Sequence, residues 1–147
     1  MSDVKKAVGY ISCAVKSEED CQEQREAIQL LAVKDGVEIS HFYIDNGVPG
    51  NRKKPMLDML IEDAQKGIIS KIYLKDINRL SRSITILIHY LKLLLATNVE
   101  VYFYNDSAFS FNKDSNSLLP MLTSMVSTNH SEKVLNSIRS SRKNKMR

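Results

Sequence analysis

Short apolar segments alternate with longer amphipathic segments along the first 105 residues of the chain. The short segments are bounded by polar residues or glycine, which is typical of strands. Four strands are predicted in this way: Val8–Cys13, Val37–Ile44, Ile68–Leu74 and Val99–Tyr104.

The amphipathic segments between these strands predict three helices. The first begins after Ser17, whose hydroxyl can cap the first turn, and ends near Gly36, which tolerates the left-handed conformation of a helix end. The second begins at Pro55, because the missing N–H of proline costs nothing at the first helical position. The third, about Ser83–Thr97, is apolar on more than one face, and we expect it to be buried on several sides, by its own domain or by a partner chain.

Strands that alternate with helices indicate an α/β fold of three layers, with a mostly parallel central sheet flanked by helices. The carboxyl ends of parallel strands meet at one edge, where such sheets bind ligands. Three segments are expected at that edge: Ser12–Ala14, Asp45–Lys54 and Lys75–Arg82. We divide the chain into an α/β domain at 1–115 and a long C-terminal helix with a basic tail at 116–147.

The positive charge of the chain is concentrated at its C-terminal end. The formal net charge is +4, but residues 131–147 hold six basic residues against Glu132 alone, so the rest of the chain is close to neutral. This distribution is typical of an arm that contacts nucleic acid, although a solvated tail has the same composition. The candidate DNA contacts are Lys133, Arg139, Arg142, Lys143 and Lys145.

Composition also disfavours several classes of protein. The longest apolar stretch, Ile84–Leu95, contains polar residues and is too short to cross a bilayer, so we expect no membrane association. The N-terminus lacks the apolar run of a signal peptide. Cys13 and Cys21 match no metal or disulfide spacing, and we expect a cytoplasmic protein without a metal or small-molecule cofactor.

Two arginines follow the third predicted strand, in the segment Lys75–Arg82. Arg79 and Arg82 are three residues apart, and on the first turn of a helix that spacing places both side chains on one face. Guanidinium groups beside a helix N-terminus make a phosphate clamp, because each group binds two oxygens at once. The alternative is a pair of solvated surface arginines.

These segments resemble, in order, the motifs of the serine recombinases of the resolvase/invertase type. Gly9–Ala14 is similar to Gly-Tyr-x-Arg-Val-Ser, Asp45–Gly50 to Asp-x-Gly-x-Ser-Gly, and Lys75–Arg82 to a motif that contains Asp-Arg-Leu-Ser/Gly-Arg. Gln24 fits the glutamine-led first helix, and Lys54-Pro55 resembles the Arg-Pro that opens the second. The resemblance covers about residues 6–140 and is to the N-terminal catalytic domain of that family.

The resemblance implies a function in site-specific recombination and DNA integration, as in mobile elements. Members of the family cut DNA with a serine hydroxyl, hold it as a phosphoserine link and exchange strands within a tetramer, without metal or nucleotide. Arginines bind the scissile phosphate, and the last helix crosses the minor groove. For this chain the resemblance implies DNA as a partner and a homo-oligomer, a dimer or tetramer, formed through the C-terminal helix.

The chain departs from the family at the residues that carry the chemistry. Ala14 stands at the position of the nucleophile, Ser12 at the position of an arginine, and Lys54 at that of the arginine before the proline. Asn78 replaces the motif's aspartate, whereas both arginines of the motif, Arg79 and Arg82, are unchanged. Because a methyl group cannot attack phosphorus, we expect a pseudoenzyme that acts as a DNA-associated or regulatory oligomeric protein.

Two alternatives stay open. The first is a serine recombinase in which Ser12 substitutes for the missing hydroxyl, since strand alternation would place it on the same face as position 14, or one whose nucleophile was removed by mutation. The second is a receiver or flavodoxin-like module with no role on DNA. The lack of an acidic cluster after the first strand and of a glycine-rich phosphate loop disfavours that module.

Overall fold

The computed structural model of the protein describes residues 6–49, 53–81 and 83–105. Within them, strands and helices alternate as predicted. The strands are β1 (Lys6–Cys13), β2 (His41–Asn46), β3 (Ile69–Leu74) and β4 (Glu100–Phe103). The helices are α1 (Glu18–Lys34), α2 (Pro55–Gln65) and α3 (Ile84–Leu95), and a 3₁₀ turn, Ile77–Arg79, lies between β3 and α3.

The four strands form one parallel sheet in the order β2-β1-β3-β4. Helix α1 packs on one face, in an apolar cluster with Ile11 and Tyr73 of the sheet. Helices α2 and α3 pack on the other face, around Tyr10 and Phe103. This arrangement confirms the three-layer α/β fold. The predicted C-terminal helix at 116–147 lies outside the described residues.

The second strand begins later than the predicted range, Val37–Ile44. The N–H of Val37 donates to the carbonyl of Ala32 at 2.8 Å, so this residue still closes the end of α1. Ser40 is where bonding to β1 begins, through a 2.9 Å bond from its N–H. The predicted start is therefore wrong, because the apolar residues before His41 pack under α1 without joining the sheet.

Helix α3 buries one face, through Ile84, Leu87, Leu91 and Leu94. On its outer side Ile86 is 39% exposed. Half-buried residues beside this stripe also pack against the core: Ile88, Tyr90, Leu93 and Leu95. Burial of further sides, by the rest of the domain or by a partner chain, stays a prediction. No helix in these same ranges is long and apolar enough to cross a membrane.

Gly9 lies at the closest approach between β1 and the side chains above it. A Cβ atom at this position would be 2.7 Å from the ring of Phe42 and 3.2 Å from Ile28. The ring is held in place by Arg25, whose guanidinium carbon lies 4.4 Å from the ring centroid. The packing of β2 and α1 against β1 therefore requires glycine here.

We expect Gly9→Ala to destabilise the protein by about 1–3 kcal/mol, because the new methyl group overpacks a filled site. Denaturant unfolding measures this loss. In a Phe42→Leu background the same substitution should cost clearly less, since the ring is gone. An equal cost in both backgrounds would show that Phe42 is not the cause.

Candidate functional site

The loops after β1, β2 and β3 leave the sheet at one edge, and β1 reaches further towards that edge than β3 does. Pairing of β1 with β2 continues to Cys13 opposite Asn46, whereas its pairing with β3 ends at Gly9 opposite Tyr73. The end of β1 therefore has no β3 residue beside it. Ser12, which is buried, needs other partners for its N–H and C=O groups.

Gln24 of α1 supplies those partners. Its Oε1 accepts from the Ser12 N–H at 3.1 Å, and its Nε2 donates to the Ser12 carbonyl at 3.0 Å. Gln24 is 0% exposed, so its side-chain amide acts as a short piece of strand on the open side of β1. The motif comparison marked Gln24 as a landmark without showing this role. A glutamine on the apolar face of a helix is the available signal, because a buried amide must find hydrogen bonds.

Arg79 binds the same strand end. Its Nη1 donates to the Ser12 carbonyl at 3.2 Å and lies 3.9 Å from Oδ2 of Asp20, while its Nε lies 3.4 Å from Oδ1 of Asp76. The side chain is 20% exposed. The guanidinium therefore makes one hydrogen bond, to the Ser12 carbonyl, and lies close to two carboxylates that balance its charge.

The expected placement of Arg79 and Arg82 on one face of a helical turn stays a prediction. Arg79 is the last residue of the 3₁₀ turn, and α3 begins only at Ile84. The residues that follow Arg79, Leu80 and Ser81, are buried and hold the segment against the core. Arg82 lies outside the described residues. Asn78, in the same 3₁₀ turn, is half-buried.

Lys54 reaches this segment from the start of α2. Its Nζ donates to the carbonyls of Arg79, at 3.3 Å, and Leu80, at 3.1 Å. Lys54 is 4% exposed, so the ammonium group is placed against the carbonyl end of the 3₁₀ turn, where it stabilises partial negative charge. The structure thus brings positions 54 and 79 to one edge, as expected, with both charges in contact with protein groups.

Asp45 holds α2 at the same edge. Its carboxylate accepts from the N–H groups of Met56 and Leu57, both at 3.0 Å, and from the Tyr10 hydroxyl at 2.8 Å. The side chain of Lys54 does not cap α2, so the free N–H groups of the first turn need another acceptor. Asp45 of β2 supplies it. Burial, followed by the Asp45 carboxylate, raises the pKa of Tyr10 well above its usual range. A helix that opens with Lys-Pro and lacks a cap of its own is the sequence signal for this contact.

Position 14 lies just beyond β1 and carries an exposed alanine. Ser12 is 6% exposed, so its hydroxyl is buried at the end of β1. Cys13 faces α1, where burial and then its hydrogen bond with Cys21 raise its pKa to about 12. Because β1 ends at Cys13, the strand alternation expected to place Ser12 on the face of Ala14 does not extend to position 14. The exposed position has no nucleophile, and the neighbouring hydroxyl and thiol are buried.

A comparison with protein families identifies this architecture. The model of the family described as the N-terminal domain of resolvase matches residues 7–147. The chain belongs to the resolvase family. This membership confirms the resemblance to the serine recombinases that the motifs indicated. No curated protein matches the sequence.

Three solved structures share the fold of this resolvase-family domain. The N-terminal catalytic domain of TP901-1 integrase is 21% identical, with a TM-score of 0.67 over 90% of this chain and 99% of that one. A resolvase family site-specific recombinase from Streptococcus pneumoniae is 14% identical, with a TM-score of 0.69 over 93% and 95%. The C-terminal catalytic domain of ISC1926 TnpA, an IS607-like serine recombinase, is 19% identical, with a TM-score of 0.57 over 87% and 84%. At these identities the likeness establishes the fold.

We expect Gln24→Met to destabilise the resolvase-family domain by about 1–3 kcal/mol, because it leaves the buried N–H of Ser12 without its acceptor, whereas the Ser12 carbonyl keeps its bond from Arg79. Hydrogen exchange at the Ser12 amide should accelerate in parallel. Gln29→Met is the matched control, since Gln29 is exposed on the same helix, and it should change stability by less than about 0.5 kcal/mol. Equal losses in denaturant unfolding would contradict the role of Gln24.

Proposed function

We propose that this chain is a non-catalytic, DNA-associated member of the resolvase family that acts as a regulatory or assembly subunit in site-specific recombination. The observation that carries the proposal is the exposed Ala14 at the end of β1. The family reaction joins a serine oxygen to phosphorus while a deoxyribose oxygen leaves, so an atom with a lone pair must reach the phosphate. The alanine methyl group has none.

Neighbouring groups do not replace the missing hydroxyl. Ser12 is 6% exposed, and its backbone is fixed by Gln24 and Arg79. The raised pKa of Cys13 keeps its thiol protonated at neutral pH, whereas the thiolate is the nucleophile. Loss of the nucleophile from a catalytic unit lowers the rate by about 10⁶-fold in well-studied enzymes. Burial therefore disfavours Ser12 as a substitute nucleophile.

Phosphate binding at this edge is weakened as well. Ser12 stands at the position of an arginine, and Arg79 is already placed between Asp20 and Asp76. A phosphate would have to displace these carboxylates from the guanidinium, so part of its binding free energy is spent on breaking existing contacts. The candidates that the sequence offers for a phosphate contact are Lys54, Asn78, Arg79 and Arg82. Two of these, Lys54 and Arg79, already donate to protein carbonyls.

DNA contact and self-association are assigned to residues 116–147 in this proposal. The apolar stripe of that predicted helix must be covered, and a second copy of the chain is the occupant we propose. The stripe consists of Leu118, Leu122, Met125 and Val126. The basic residues after it neutralise DNA phosphates, while the α/β body at 1–115 supplies the recombinase shape. We place the protein in the cytoplasm, where two free thiols are kept reduced.

We expect neither the unmodified chain nor Ala14→Ser to form a covalent link to DNA. The serine hydroxyl returns in the variant, but the missing arginine at position 12 alone lowers the rate by about 10²- to 10³-fold. The minimal set for restoring chemistry is Ala14→Ser with Ser12→Arg and Lys54→Arg. Denaturing gels after incubation with nicked suicide duplexes detect the adduct. An adduct with the unmodified chain would contradict the proposal, and its loss in Ser12→Ala would identify the nucleophile.

DNA binding should be weak, indifferent to sequence and steeply dependent on salt, because phosphate contacts position a protein without specifying bases. We expect Lys143→Gln with Lys145→Gln to lower the slope of log affinity against log salt by about 1–2. Lys34→Gln with Lys66→Gln is the control, since both lysines are exposed at the opposite edge of the sheet. Fluorescence anisotropy on two unrelated duplexes measures both the dependence of affinity on sequence and the slope against salt. Equal slope changes for the two pairs would contradict the assignment.

A further inference from the structure

Cys13 and Cys21 bring two thiols into contact at the junction of β1 and α1. Their sulfur atoms are 3.4 Å apart, and the residues are 2% and 6% exposed. We propose that this pair forms a reversible intramolecular disulfide within the native fold. The proposal goes beyond the proposed DNA function and does not depend on it, because it rests on this contact alone.

The fold already places the two sulfur atoms in contact. A disulfide has an S–S distance of about 2.05 Å, so the sulfur atoms must approach each other by about 1.3 Å. Both lie in the apolar cluster under α1. The segment between them is held by Ser17, whose hydroxyl accepts from the Asp20 N–H at 3.0 Å and whose N–H donates to Asn46 at 2.9 Å. The entropy lost on closing this loop is therefore already lost on folding.

The reaction needs an oxidant, and the fitting chemical class is a low-molecular-weight disulfide such as glutathione disulfide. One cysteine loses its proton and attacks the oxidant, so that a mixed disulfide forms and one small thiolate leaves. The second cysteine loses its proton, attacks the mixed disulfide and releases the second thiolate. In total, two S–H bonds break, one S–S bond forms within the protein, and the oxidant is reduced to two thiols.

The surroundings of Cys13 make this exchange slow without opposing its product. The Cys13 thiol donates to Oδ2 of Asp20 at 3.3 Å, and its raised pKa makes the thiolate scarce. A molecule the size of glutathione reaches the sulfur atoms only when the start of α1 opens locally. Burial therefore sets the rate of oxidation, whereas the thiol contact sets its equilibrium.

The disulfide would change the surroundings of Arg79. The Oδ2 atom of Asp20 that accepts from the Cys13 thiol also lies 3.9 Å from Nη1 of Arg79. Oxidation removes the thiol hydrogen that Asp20 accepts, so Arg79 becomes the closer partner of the Asp20 carboxylate. It also ties the residue before Ala14 covalently to α1. Both effects make the edge of the sheet more rigid in the oxidised protein.

The test is a redox titration of the full chain in glutathione buffers, once in native buffer and once in concentrated urea. Acid-quenched samples are alkylated, and intact mass separates the dithiol, the internal disulfide and mixed disulfides. We expect the native chain to be half oxidised at a glutathione disulfide concentration at least tenfold lower than the unfolded chain needs. This ratio corresponds to a difference of about 30 mV in reduction potential between the two states. By linkage, the oxidised protein should also melt at a higher temperature than the reduced one.

Cys21→Ser is the control, and it should form a mixed disulfide at Cys13 at most. Because the main comparison uses one sequence in two solvents, it does not depend on whether a variant folds. A native chain that needs as much glutathione disulfide as the unfolded chain would overturn the proposal. Disulfides between chains in place of the internal bond would overturn it as well.

Discussion

The backbone of Ser12 imposes the constraint on which the functional edge depends. β1 extends four residues past its last pairing with β3, so the Ser12 N–H and C=O are buried without a strand on that side. Gln24 supplies an acceptor and a donor from α1, and Arg79 adds a second donor from the 3₁₀ turn. These contacts join β1, α1 and the segment after β3 at one point. Since unsatisfied buried backbone groups are costly, each of the three elements helps to fix the position of the others.

The polar side chains around Ser12 make hydrogen bonds and ion pairs within the protein that stabilise the fold. Asp45 caps α2, Lys54 binds the carbonyls that end the 3₁₀ turn, and Arg79 lies between two carboxylates. A domain with these contacts keeps a recombinase-like shape without a nucleophile at position 14. Family membership establishes the architecture, whereas function has to be argued from the groups at the edge, because one fold supports many activities.

Local patterns in the sequence were sufficient for the order and type of the elements. Ser17 caps α1 as predicted, and Gly36 ends it with a φ of 71°. The error in the second strand arose where tertiary contacts decide, because the residues after Gly36 are apolar like a strand but pack under α1. The 3₁₀ turn that ends at Arg79 was not predicted from the sequence pattern. Hydrophobic periodicity carries no information on where a long polar side chain ends. The inward contacts of Gln24 and Arg79 therefore became visible only in the structure.

The central claim is that Arg79 belongs to the fold and is not held ready for phosphate. Denaturant unfolding of Arg79→Met, with and without inorganic phosphate, tests this claim most directly. The account predicts a loss of about 2 kcal/mol, from the broken hydrogen bond and the carboxylates left without their cation, and no stabilisation of the unmodified protein by phosphate. Lys75→Met is the control, because its ion pair with the exposed Glu23 is worth less than about 1 kcal/mol. An Arg79→Met variant as stable as the unmodified protein, together with phosphate stabilisation that disappears in the variant, would contradict the account.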